Sequence, residues 1–133
     1  MNFMRKAIVV LFNLLFFLAP IIFYARTSEV FEFNKMLLTY AATATIAGLW
    51  AARMINAKKF IFRRTIVDIP LIIFFFSQAI STLISIDIRT SIFGYYSRFN
   101  GGLLSSLSYL LLYWAYVANV NSEETKKILK KAI

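Results

Sequence analysis

The chain has 133 residues, 60% of them hydrophobic, and carries 15 Lys and Arg against six Asp and Glu, a formal charge of +9. It contains neither cysteine nor histidine, which excludes a disulfide scaffold and a Cys/His metal site, and it is far too apolar for a disordered polypeptide. All charges fall in five blocks, 1–6, 26–35, 53–68, 87–98 and 123–133, and the runs between them are free of charge.

Those runs, 7–25, 36–52, 69–86 and 99–122, approach the ~20 residues a helix needs to cross a bilayer. Lipid offers no partner to free backbone groups, so each run is expected to be helical. The fold class expected is therefore all-α: a polytopic membrane protein of four transmembrane helices. Basic residues at Arg5, Lys6, Arg53, Lys58, Lys59, Arg63, Arg64, Lys126, Lys127, Lys130 and Lys131 alternate with the smaller set Arg26, Lys35, Arg89 and Arg98. That imbalance puts both termini in the cytoplasm and assigns most of the positive charge to topology. Nucleic acid is not an expected partner, although basic and aromatic residues interleave in 57–65.

The first run is longer than the apolar core of a signal peptide, and Phe23 is too bulky for a cleavage site before 26, so a retained anchor is expected. Pro20 should kink it, and Asn13 should seek a neighbouring helix. In the second run Ala44, Gly48 and Ala52 recur every four residues beside Ala41 and Thr45, the spacing of a close helix-packing face. The third opens with Asp68-Ile-Pro70, a helix start, and its outer half carries Ser77, Gln78, Ser81, Thr82 and Ser85. The fourth begins on the same side with Ser105, Ser106, Ser108 and Tyr109. Bonding back to the helix or across to a neighbour is the favoured role of these hydroxyls. The competing reading is a polar cleft open to the outer leaflet.

Between these two runs, 87–102 combines Arg89 and Arg98 with Tyr95, Tyr96, Phe99, Asn100 and flexible glycines. Guanidinium groups suit phosphate and aromatic rings suit sugars. An interfacial aromatic belt explains the same rings, and residue chemistry leaves the two readings level. The tail, 123–133, begins as an amphipathic cytoplasmic helix and stops without a C-cap, so the chain is expected to be cut off there, as a fragment or a truncated reading frame.

The segments Phe31-Glu-Phe-Asn-Lys35, Arg63-Arg-Thr-Ile-Val-Asp-Ile-Pro70, Ile80-Ser-Thr-Leu-Ile-Ser-Ile-Asp87 and, above all, Ser91-Ile-Phe-Gly-Tyr-Tyr-Ser-Arg-Phe-Asn-Gly-Gly-Leu103 resemble the amino-terminal part of bacterial O-antigen ligase and O-antigen polymerase-like membrane proteins. The resemblance implies a multi-pass inverting glycosyltransferase of the bacterial cytoplasmic (inner) membrane. Such an enzyme moves a glycan from an undecaprenyl-diphosphate carrier to an acceptor and needs no cofactor. It implies Arg98 as the contact to the anionic group, with Arg89, Tyr95, Tyr96 and Asn100 beside it. The family's large late periplasmic loop is missing and no catalytic residue can be carried over, so the chain is expected to be inactive alone. Its partners would be the undecaprenyl-diphosphate-linked glycan, the lipid bilayer, and the missing C-terminal helices or another membrane subunit. The alternatives are a small four-helix transporter or flippase-like protein and a structural assembly subunit. Exchange of drug for proton is disfavoured, because no span holds a carboxylate.

Overall fold

The computed structural model describes residues 3–22, 32–96 and 98–120. Among them every regular element is a helix, namely α1 Phe3–Ile21, α2 Glu32–Ala57, α3 Asp68–Leu83, α4 Ile88–Phe93 and α5 Leu103–Asn119. The expected amphipathic tail at 123–133 lies outside the described residues.

The helix ends follow from local chemistry and depart from the charge-free runs. α1 begins before Arg5 and ends one residue after Pro20, so the proline closes the helix rather than kinking its middle. α2 runs past both charged ends of its apolar stretch, taking Glu32 into its first turn and Arg53 into its last turns. It stops at Lys58, whose φ of +48° is a left-handed C-terminal cap. α3 ends at Leu83, short of the expected 86. There Asp87 starts a separate short helix that the sequence reading had placed in a loop: its carboxylate accepts from the Thr90 backbone N–H at 3.2 Å and the Thr90 hydroxyl at 2.5 Å, N-capping α4. Those same bonds hold the Asp87 carboxyl below the usual carboxylate range, the hydroxyl contributing most.

Among the described residues, α1 alone is both long and apolar enough to cross a membrane on its own account. α3 and α5 have 16 and 17 residues, about 24 and 26 Å of helix, while α2 reaches about 39 Å but carries charges inside its ends.

α5 is the hub, packing against each of the other four helices, and α1 and α2 pack against each other and against it. Ile8 and Phe12 of α1, Ile46 and Trp50 of α2 and Ala115 of α5 form the buried core. The Phe12 ring meets Tyr116 edge-on at 5.3 Å. Helix α3 touches only α5 and α4, and its two buried residues, Asp68 and Thr82, are polar.

Two sequence expectations fail here. Asn13 is exposed and reaches no described helix, because the α1 stripe of Ile8, Phe12 and Leu15 already fills the interface. On α2, burial falls on Met36, Thr43, Ile46 and Trp50, which leaves Ala41, Ala44, Thr45 and Gly48 exposed. A side chain added at Gly48 would meet open space. The small-residue stripe is thus not a packing face within this bundle.

Candidate functional site: a polar recess beside an interhelical cleft

Gly94–Tyr96 and Arg98–Gly102 fold back on each other as the two arms of a closed loop whose shape depends on its glycines. Gly94 has φ +85°, and a Cβ there would lie 2.2 Å from the Asn100 carbonyl oxygen. A Cβ on Gly102 would lie 2.3 Å from the Gly94 nitrogen. Backbone bonds from Tyr95 N to Asn100 O at 3.2 Å and from Phe99 N to Tyr95 O at 2.9 Å close the ring. The loop is tied to α2 by the Tyr40 hydroxyl, which donates to the Phe99 carbonyl at 2.6 Å, and by an edge-on Phe33–Phe99 contact at 5.6 Å.

This closure separates the expected site residues into two places. Arg98, Tyr95 and Asn100 line an open recess of ≈ 500 Å³ with Gly101 and Glu32. Arg89 and Tyr96 line a smaller recess of ≈ 180 Å³ with Thr90, Phe93, Gly94 and Phe99. In the larger one the Arg98 guanidinium lies 5.9 Å from the centre of the Tyr95 ring, within cation–π range. Its Nε is 3.6 Å from a Glu32 carboxylate oxygen, with 49% of the arginine side chain and 45% of the glutamate side chain exposed. A pair that open to solvent contributes at most about 1 kcal/mol, so an incoming anion can displace it. The Asn100 side-chain oxygen accepts from the Gly101 N–H at 2.8 Å and the Tyr109 hydroxyl at 3.3 Å. Its amide nitrogen donates to no described residue.

Asn100 and Gly101 also form one end of a cleft of ≈ 430 Å³ between α3 and α5. Gln78, Ser105, Ser106 and Tyr109 line its polar part, while Leu71, Phe74 and Leu110 line the rest. The polar cleft considered from sequence thus has a structural counterpart, lined by Gln78, Ser105, Ser106 and Tyr109 of the residues named for it but not by the other expected hydroxyls. Ser77 and Ser81 are exposed on another face of α3, and Ser85 accepts from the Ser91 hydroxyl at 2.5 Å. Most other hydroxyls bond back, Ser105 to Gly102 O at 2.7 Å, Ser108 to Leu104 O at 2.9 Å and Thr82 to Gln78 O at 2.8 Å. Back-bonding leaves Gln78, together with the amide nitrogen of Asn100, as the cleft side chains with unused hydrogen-bonding groups among the described residues.

The opposite end of the bundle is closed by two polar clusters. Asn119, 1% exposed, accepts from Arg53 through its side-chain oxygen and from Arg5 Nε through its carbonyl at 2.9 Å. These cations sit at the C-terminus of α5, the negative end of its dipole. Asp68, 7% exposed, accepts from Thr65 N at 2.7 Å, the Thr65 hydroxyl at 2.9 Å and Trp114 Nε1 at 3.1 Å. The Thr65 N–H, foremost among these partners, holds the Asp68 carboxyl below the ordinary carboxylate range. Both clusters lie outside the Arg98 recess, the Arg89 recess and the α3–α5 cleft, and tie helix ends together.

Glu32, Tyr40 and Tyr109 were not among the expected site residues. Glu32 had one sequence signal, an acid on the same side of the alternating charge blocks as Arg89 and Arg98. Tyr109 had been named only among the polar residues of the fourth run, and Tyr40 had no signal, because its role depends on where the loop folds back. Among the described residues, no three Asp, Glu, His or Cys side chains come together to hold a metal. No family model, curated protein or solved structure matches the chain.

Proposed function

We propose that the chain is the amino-terminal, membrane-spanning part of a glycosyltransferase that uses a lipid-diphosphate-linked glycan, similar to O-antigen ligases and polymerases. In this reading the Arg98 recess receives the diphosphate and the aromatic and amide groups of Tyr95 and Asn100 meet the adjoining sugar. The observation that carries it is the joining of that recess to the α3–α5 cleft through Asn100 and Gly101. A polar head and an apolar chain are thereby offered adjacent surfaces. Preorganised donors at a leaving diphosphate are the kind of group that lowers the barrier to glycosyl transfer.

Two observations support a four-span membrane topology. Contacts from Arg5 and Arg53 to Asn119, and from Asp68 to Trp114, put the start of α1, the end of α2, the start of α3 and the end of α5 at one end. That is the up-and-down order that four spans with cytoplasmic termini require. The outward surface is also oily: Phe16, Phe17, Ile69, Ile73, Phe76, Ile80 and Leu83 are all more than half exposed. Contiguous apolar patches of that kind are rare on soluble monomers.

Because the chain has no cysteine, single cysteines test this directly. With Tyr96→Cys and Lys59→Cys in otherwise unaltered chains, a membrane-impermeant maleimide should label position 96 in intact cells and position 59 only after lysis. Equal labelling of both in intact cells would sink the topology. For the activity, Arg98→Ala in the complete protein should lower glycan transfer at least tenfold at an unchanged membrane level. Unaltered transfer leaves Arg98 as an interfacial residue.

A further inference from the structure

We propose that Glu32 is a specificity residue of the Arg98 recess, admitting a lipid diphosphate and rejecting the singly charged phospholipids that surround it. The inference rests on the reading of that recess as a diphosphate site. A lipid-embedded cationic recess faces a selection problem, because the bilayer supplies anionic headgroups in great excess over any carrier-linked substrate. An arginine alone would fill with them.

The structure places a counter-charge where it bears on this. Glu32, in the first turn of α2, approaches the Arg98 guanidinium at 3.6 Å, and among the described residues it is the one carboxylate lining the recess. A phosphodiester with one negative charge would exchange one monoanionic partner of Arg98 for another and gain little. It would also sit against the displaced glutamate. A diphosphate diester brings two charges and more acceptor oxygens, enough to satisfy both the guanidinium and the unused amide of Asn100. Selectivity then comes from an element that penalises the competitor more than the ligand. The half-exposure of both partners suits this role, because a buried pair could not be parted by either ligand.

The experiment uses the 133-residue chain in phosphatidylcholine nanodiscs, with a fluorescent polyprenyl-diphosphate-linked sugar, a diphosphate diester, as probe and phosphatidylglycerol as competitor. The unmodified chain should hold the probe against phosphatidylglycerol, and Glu32→Gln should be displaced by at least tenfold less of it. Glu32→Ala is a second charge-removing variant and should behave like Glu32→Gln, so one poorly folded protein does not decide the matter. Glu32→Asp should keep the resistance of the unmodified chain. Equal displacement in all four proteins overturns the role of Glu32 and leaves the site reading standing, provided Arg98→Ala has lost the probe. Probe binding that is absent from the unmodified chain, or intact in Arg98→Ala, overturns the site reading itself.

Discussion

Asn119 sits at the end of α5 with two arginines from other helices on its oxygens and its own amide nitrogen bonded to Ala115 O at 2.8 Å. Truncating it leaves the Arg53 guanidinium, whose Nε is already buried without a partner, with no acceptor among the described side chains. Asn119→Ala should therefore cost about 2 kcal/mol, measured as a lowered unfolding midpoint in detergent. Asp68 carries a pH signature. Its folded-state pKa is depressed, so the folded chain binds fewer protons than the unfolded one in the acid range. The stability it contributes is fully present above the unfolded carboxyl pKa, near 3.8, and is lost as pH falls through the lower folded value. Trp114, which donates to Asp68, reports the change: acid unfolding followed by tryptophan fluorescence should flatten in Asp68→Asn. None of these partnerships was legible beforehand. Asp68 was read as a helix start, which it is, but its bond to Trp114 joins residues 46 apart in the chain. Charge blocks give the side of the bundle on which a residue lies, not the side chain it meets.

Helices were legible where apolar runs are long and misjudged where charge or capping decides the boundary. The runs located α1, α2, α3 and α5, but α2 absorbs Glu32 and Arg53, and α4 exists because Asp87 finds Thr90 three residues on. The residues of the closed loop were singled out from sequence as a candidate site; its division into two recesses was not, because that follows from backbone folding at Gly94. Gly94→Ala should break the loop, since its Cβ would overlap the Asn100 carbonyl at a left-handed φ. Binding at the Arg98 recess should fall at least tenfold in that variant while its helical circular dichroism stays unchanged. Small residues every four positions gave the opposite error. That spacing marks a surface another helix can approach, and here the larger side chains Ile46 and Trp50 take the interface instead. Gly48→Leu should accordingly leave the detergent stability of this chain within about 0.5 kcal/mol of the unmodified protein. A loss of several times that would mean that the stripe is covered.

At the scale of the whole molecule, α1, α2 and α5 form one packed unit, and α3 with α4 leans on it through α5. The apolar core belongs entirely to the first unit. Hydrogen exchange should register the difference, with α3 amides exchanging faster than those of α1 and α2 around Ile8 and Ile46. The all-helical class was legible because hydrophobic content and charge segregation are properties of the chain as a whole. The hub role of α5 was not, since nothing in its composition separates it from the other runs.

The same arrangement has a consequence in time. A chain made from its amino terminus produces α1 and α2 first, and these can pair at once. Helix α3 follows with neither as a neighbour in the finished bundle, and must wait for α4 and α5. Until α5 has emerged, Asp68 lacks Trp114 and the two arginines lack Asn119. Helix α5, the last of the described helices to be synthesised, is therefore the keystone: a ribosome stalled before residue 103 would leave a hairpin and a loose third helix, with neither cleft nor closed polar end.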